Sequence, residues 1–271
     1  MSSSKHQSLR PTRAFQETQP PMKNLWRVMD TNKLETLLQG GLWFARLDQF
    51  GDEREGSLPT PNLGLLNKLP KPVATWVAEE YERSVLRSYA LCWHMSDADP
   101  DTSLWQAFSG SGTGVAVRSD YQSLKKAIAP ISGNDGPVHF SSIHYIDHDT
   151  DTISDHNVID AAFTVRNEFS YEREARILIH THGTAAFNSL YGRKGPLGLL
   201  VVPSDPSSSS GGGHELTGGH ANGRAIVISV KPKELIHEVL LGSNMTEENR
   251  KSVRLLLARY DMGSRIRVSP D

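Results

Sequence analysis

The chain holds a single cysteine, Cys92, among 271 residues. That excludes an internal disulfide and fits a reducing compartment. No apolar run approaches the roughly 20 residues that a membrane helix needs, and the opening stretch MSSSKHQSLRPTRAFQETQPP lacks the apolar centre of a secretory signal. Neither sign of charge is in excess: 29 Lys+Arg stand against 31 Asp+Glu, which removes the global electrostatic case for wrapping duplex nucleic acid. A local basic groove stays open. No histidine pair has the helical HExxH spacing and the acids do not follow the ligand order of a calcium hand, so no metal is expected. These absences lead to the expectation of a cytoplasmic protein with no membrane partner.

What is present reads as one α+β domain. Residues 1–23 are rich in Ser, Gln, Pro and Lys and poor in apolar groups, the composition of a disordered tail. From 24 to 271 a single domain is expected, a mixed or antiparallel sheet flanked by helices. NLWRVMD, LWFARL, YALCWHM, GVAVRS, VHFSSIHYI, YEREARILIH, LGLLVVP and AIVISV have the aliphatic and aromatic content of strands. TNKLETLLQGG, with Thr31 as cap and Leu34, Leu37 and Leu38 on one face, reads as a helix stopped by Gly40-Gly41. VATWVAEEYERSVLRSYA has amphipathic spacing, DTSLWQAFSGSGT is a short helix ending in a Gly-rich turn, and NVIDAAFTVRNEF is a further helix candidate. DQFGDEREGSLPTPNLG is expected to be a solvated loop, and the Ser/Gly-rich stretch over 203–223 a flexible insertion. TEENRKSVRLLLARYD and SRIRVSP close the chain as helix and strand.

The chemistry concentrates in YEREARI. On an extended strand Glu172 and Glu174 point to the same side, and like charges that close raise each other's pKa, an arrangement suited to stabilising a developing cation. The alternative is a solvated edge whose acids pair with Arg166, Arg173 and Arg176. Arg27 is a lone charge in an apolar strand, so it either sits at the strand's end or reaches a carboxylate or a phosphate, with a structural ion pair as the ordinary reading. Cys92 and His94 share one strand face as a conceivable nucleophilic pair, against the ordinary reading of a buried thiol as a small hydrophobe. Arg193 and Lys194 sit on a Gly-rich turn as a possible anion contact.

Taken in order, LWRVMD, LWFARLDQFGDEREGS, YALCWHMS, SLWQAFSGSGTGVAVRS, FSYEREARILI and VLLGSNMT resemble a large bacterial family catalogued as a domain of unknown function. That family follows the order LYR, FNDPFE, MWxxY, ExExR. The chain departs from it at FGDEREG, at Phe108 where Tyr is common, and at Tyr171 and Ala175 where Trp is frequent. The family is in turn remotely similar to ADP-ribosyltransferases, which implies a split-sheet fold and NAD as substrate. On that resemblance Glu174 would stabilise an oxocarbenium-like transition state and Glu172 would orient or deprotonate the acceptor. Arg27 would hold pyrophosphate or ribose, with Arg46 and Arg176 as further cofactor contacts. Trp105, Phe108 and Ser109 would line the nicotinamide pocket.

The leading expectation is therefore an NAD-consuming enzyme, an ADP-ribosyltransferase or NAD glycohydrolase acting as an intracellular toxin or defence effector. It would have a protein or nucleic-acid acceptor, and the same expectation leaves room for an inhibitory partner protein. Two other classes stand beside it. One is a silent binding module for a nucleotide or nucleic acid using Arg27, Arg46, Arg118 and Arg176. The other is a metal-dependent nuclease using Asp48, Asp52, Glu53 and Glu55 with the two YEREARI acids.

Overall fold

A computed structural model describes residues 24–109, 113–129, 138–153, 158–181, 200–203 and 223–269. The tail expected at 1–23, most of the 203–223 insertion, Gly110 to Gly112, His182, Arg193, Lys194, His214 and His220 lie outside the described residues. Among these residues the fold is α+β, one mostly antiparallel ten-stranded sheet flanked by helices, with a separate two-stranded sheet.

Strand β1 (Leu25–Met29) leads through helix α1 (Thr31–Leu38) to β2 (Gly41–Arg46). Asp30 rather than Thr31 caps α1, its carboxylate accepting from the Lys33 amide, a role open to either residue type. The apolar stripe Leu34, Leu37 and Leu38 is buried as expected. The segment expected as a solvated loop contains a helix, α2 (Thr60–Leu66), followed by α3 (Lys71–Arg87). Both have Pro in the first turn, where its missing N–H costs nothing. Long strand β3 (Ser88–Met95), α4 (Thr102–Ser109), β4 (Val115–Ser119) and α5 (Tyr121–Ile128) follow.

VHFSSIHYI divides into β5 (Val138–Ser142) and β6 (His144–Ile146). The helix expected over NVIDAAFTVRNEF is only one turn, α6 (Val158–Ala162), before the chain extends as β7 (Thr164–Arg166) and pairs in parallel with β6. The β-branched Thr164 and Val165 fit that extended backbone better than a helix. A 3₁₀ turn, Asn167–Glu172, then delivers β8 (Glu174–His180). After β9 (Leu200–Pro203) and β10 (Gly223–Ser229) come the short α7 (Pro232–Leu235), β11 (Glu238–Leu241), α8 (Glu247–Arg259) and β12 (Ile266–Val268). Among the described residues no helix is long and apolar enough to cross a membrane.

One sheet face packs against α1, α5 and α8 through a core that includes Leu34, Leu124 and Leu257. The other carries two smaller clusters, one with Leu104 and Trp105 of α4 and one with Ile159 and Phe163 near α6. The feature that matters for function lies at β3. Along one edge β3 pairs with β8 from Ser88 to His94. Along the other, β1 takes only Met95 and His94, and β2 takes only Ala90 and Tyr89. Leu91, Cys92 and Trp93 have no strand partner on that edge, because β1 and β2 diverge there. The sheet forks.

Candidate active site

A cavity of about 320 Å³ opens at the fork. Arg27 of β1, Phe108 of α4, and Glu172 and Glu174 at the start of β8 all line it, as do Cys92, Trp93 and His94 of β3. A second cavity of similar volume on the α1 side shares Arg27 and Lys33 with the first.

Glu174 is the best-anchored group. It is 5% exposed, and Arg176 donates to it from Nε (2.7 Å) and Nη2 (3.3 Å). Nη1 of the same guanidinium reaches Glu55 Oε1 at 2.5 Å and the carbonyl of Ala162 at 2.5 Å. Its plane lies 5.3 Å from the Phe50 ring centroid. Arg176 is 1% exposed. Burial alone would lower its pKa, but Glu174 and Glu55 outweigh that and raise it, so a permanent cation sits behind the Glu174 carboxylate. Burial pushes Glu55 up, while Arg176 draws it back.

Glu172 differs. The strand begins only at Glu174, and Glu172 ends the 3₁₀ turn. Arg173 between them is left-handed, φ 40° and ψ 55°, a conformation that non-glycine residues rarely adopt. The kink, and not the alternation of an extended strand, brings both acids to one cavity. It is fixed from two sides: the Arg173 carbonyl accepts from the Met95 amide (2.8 Å), and the Glu172 carbonyl accepts from His94 Nδ1 (2.6 Å). A carbonyl only accepts, so the His94 proton is on Nδ1 and, in the neutral ring, Nε2 is the acceptor. Burial lowers the His94 pKa, favouring that neutral form. The Glu174 amide donates to the Tyr145 hydroxyl at 2.8 Å.

Glu172 is half-buried, and desolvation together with the charge of Glu174 pushes it up to about 7. A carboxyl whose folded pKa is raised destabilises the fold once ionised, so its favourable contribution is present below about 4.5 and lost as pH passes through 7. Glu172→Gln is therefore expected to raise the unfolding free energy at pH 8 by about 1–2 kcal/mol, after discounting for solvent screening. At pH 4 it should leave it unchanged. Thermal unfolding at the two pH values checks this.

The same cavity also has a cation in its lining. Arg27 is half-buried, its pKa pulled down to about 10 by desolvation, so it is charged at neutral pH. It forms no ion pair or hydrogen bond among the described residues. Trp93 is 1% exposed, and among the described residues its enclosed indole N–H lacks an acceptor. The fork cavity thus holds one unpaired cation, Arg27, together with two carboxylates.

No protein-family profile and no curated protein matches the chain. Solved structures of Thermus sp. 2.9 DarT do. The complex with carba-NAD+ is 14% identical over 92% of this chain and 95% of that one, and the complex with NAD+ is 13% identical over 93% and 96%; both have a TM-score of 0.33. The complex with ADP-ribosylated ssDNA is 12% identical over 95% and 98%, again with a TM-score of 0.33. So small a likeness assigns no role to any residue here.

The remaining expected residues lie elsewhere. Trp105 packs in the core beneath α4, its Nε1 donating to the Pro100 carbonyl at 3.1 Å. Ser109 donates back to the Trp105 carbonyl at 2.8 Å. A Cβ on Gly114 would meet the Met29 carbonyl oxygen at 2.6 Å and Ser109 Cβ at 2.8 Å, so only glycine lets the end of α4 approach β1 and set Phe108 at the cavity. Arg46 is held by both oxygens of Asp48 at 2.7 Å. Arg118 is held by Glu238 at 2.8 Å. Burial and the neighbouring Glu174 raise the Cys92 thiol pKa, which makes it a poor nucleophile. Asp48, Asp52 and Glu55 of the acidic loop are engaged by Arg46, Arg166 and Arg176. Among the described residues no group of three His, Cys, Asp or Glu is placed to hold a metal ion. Sequence reasoning offered Glu55 only as a metal ligand and did not single out Phe50. Arg176, flanked by Ala175 and Ile177 in an apolar strand, demanded a buried partner, but nothing in the sequence marked Glu55 as that partner.

Proposed function

We propose that the chain is an NAD-consuming enzyme, transferring ADP-ribose to an acceptor or to water. The observation that carries this is the polarity of the fork cavity, whose lining brings Arg27 together with Glu172 and Glu174. Such a site suits a ligand that bears an anionic diphosphate and develops positive charge elsewhere during reaction. NAD is such a ligand. In the proposed step the bond between ribose C1′ and the nicotinamide nitrogen breaks, and nicotinamide leaves neutral with the electron pair. The oxocarbenium-like ribose is stabilised by the Glu174 carboxylate, oriented by Arg176. The acceptor oxygen or nitrogen then bonds C1′, and its proton passes to Glu172, whose pKa near 7 suits a general base. Phe108, which lines the cavity, would cover the nicotinamide. A toxin or defence role, a protein or nucleic-acid acceptor and an inhibitory partner extend the same reading.

Incubation with NAD and measurement of nicotinamide release tests the reaction; absence of release under all acceptor conditions refutes it. With Glu172 as base, kcat/KM should rise as pH passes upward through about 7. A fall over that range would make Glu172 an acid instead.

Arg27 supplies a separable check. Because its charge is half-buried with no partner among the described residues, Arg27→Met removes a desolvation cost and should leave stability equal or higher. It should also weaken NAD binding by about 10–100-fold, the loss of one charge-assisted contact to a diphosphate. Unchanged KM in the variant would remove Arg27 from the site.

The binding-module alternative needs several free cations. Of Arg27, Arg46, Arg118 and Arg176, the last three are already paired with carboxylates, which favours the enzyme.

A further inference from the structure

Glu172, Glu174 and His94 in the lining of the fork cavity can all accept hydrogen bonds. The reaction proposed above uses the two carboxylates and leaves His94 as the anchor of the Glu172 carbonyl. That anchoring has a second result. With the proton on Nδ1, the lone pair of the neutral ring is on Nε2. Burial lowers the His94 pKa, which keeps the lone pair free at neutral pH. Among the described residues Nε2 has no hydrogen-bond partner, yet unlike the Trp93 indole nitrogen it is not enclosed. His94 is thus a half-buried side chain of the cavity with one accessible, neutral acceptor.

Register places it beside the reacting centre. Leu91, Trp93 and Met95 of β3 enter the core against α1, so Cys92 and His94, at the alternate positions, project from the other face. His94 and Glu174 are direct partners across the β3–β8 ladder, and side chains so paired stand next to each other. The ring is also held in place, since Nδ1 donates at 2.6 Å to the carbonyl of Glu172, the residue before the left-handed Arg173.

On the NAD reading Glu174 acts at ribose C1′. A neighbour of Glu174 then reaches what C1′ carries, the ribose hydroxyls on one hand and the nicotinamide ring on the other. Hydroxyls are better served by carboxylates, whose hydrogen bonds are charge-assisted. The ring calls for a neutral partner. It bears positive charge before the bond to C1′ breaks and none after, so an anion beside it would favour the ground state over the transition state and slow the step. A neutral lone pair holds the ring equally in both.

We propose that His94 is a specificity-determining residue, its Nε2 accepting from the carboxamide N–H of the nicotinamide ring. This role, which rests on the NAD reading above, lies in binding and not in bond cleavage, so it belongs to KM. It selects the amide over pyridines whose 3-substituent has no N–H.

The test compares NAD with its 3-acetylpyridine analogue, in which a methyl group replaces the amide nitrogen, on the full chain and on His94→Asn. Asparagine keeps a side-chain N–H for the Glu172 carbonyl and has no atom where Nε2 stood. The variant is expected to lose about 3–10-fold of the preference for NAD, the value of one neutral hydrogen bond. The loss should appear in KM for NAD, with KM for the analogue little changed. Differences in leaving-group reactivity cancel, because both proteins meet the same two substrates. Free nicotinamide should also inhibit the unmodified chain more strongly than free 3-acetylpyridine, a comparison that needs no variant. A preference for NAD that is the same in both proteins, a loss confined to kcat, or equal inhibition by the two pyridines overturns the assignment while nicotinamide release itself stands. Absence of release from NAD by the unmodified chain overturns the NAD reading and this role with it.

Discussion

Glu174→Gln is expected to lower the rate of nicotinamide release by about a thousandfold, on the order of 4 kcal/mol of transition-state stabilisation. The reasoning is electrostatic. The carboxylate lines the cavity, is almost excluded from water, and is oriented by two donors from Arg176. Its negative charge is therefore already in place when positive charge develops on the ribose, with little solvent to reorganise. Glutamine preserves shape and removes the charge, so KM should change far less than kcat. Loss of one partner from a buried ion pair also weakens the fold, so the kinetic measurement belongs with a denaturation curve taken on the same sample. A variant that is folded and still releases nicotinamide at the wild-type rate would remove Glu174 from the catalytic role.

The largest effect on stability is expected from Arg176→Met. It strands Glu55 and Glu174, 7% and 5% exposed, without their shared cation. Breaking a buried pair by removing one partner costs about 3–5 kcal/mol, on the order of 10 °C in Tm for a chain of this size. The triple variant Glu55→Leu/Arg176→Met/Glu174→Leu should recover most of that loss, since an apolar replacement of the whole cluster removes the stranded charges and the desolvation cost together. It should remain without turnover. Recovery of stability without activity would identify the cluster as a device for holding one carboxylate in place. If Arg176→Met unfolds at the wild-type denaturant concentration, the buried arrangement of the three side chains is wrong.

Much of this was legible in the residues. The strand content of NLWRVMD, YALCWHM and YEREARILIH and the apolar stripe of TNKLETLLQGG anticipated the sheet and its first helix, because local apolar spacing survives into the fold. The lone charge of Arg27 and the paired acids of YEREARI marked groups that now line one cavity. The reason given for the acids was incomplete, since a left-handed Arg173 and not strand alternation directs them. Two matters were out of reach. Glu55 meets Arg176 across 121 positions of sequence, and nothing local distinguishes it from Glu53, which stays exposed. The fork depends on where β1 and β2 each stop pairing with β3, a property of register that no single segment encodes.

That fork sets stability against access. At Leu91, Cys92 and Trp93 the ladder is interrupted on one side. A sequence change that drew β1 and β2 together would add backbone hydrogen bonds and bury the Trp93 edge. It would also expel Arg27 from between the strands and close the cavity. Improvement by thermostability selection alone would therefore tend to zip the sheet shut, and variants gaining the most heat resistance around β3 should be the first to lose their ligand.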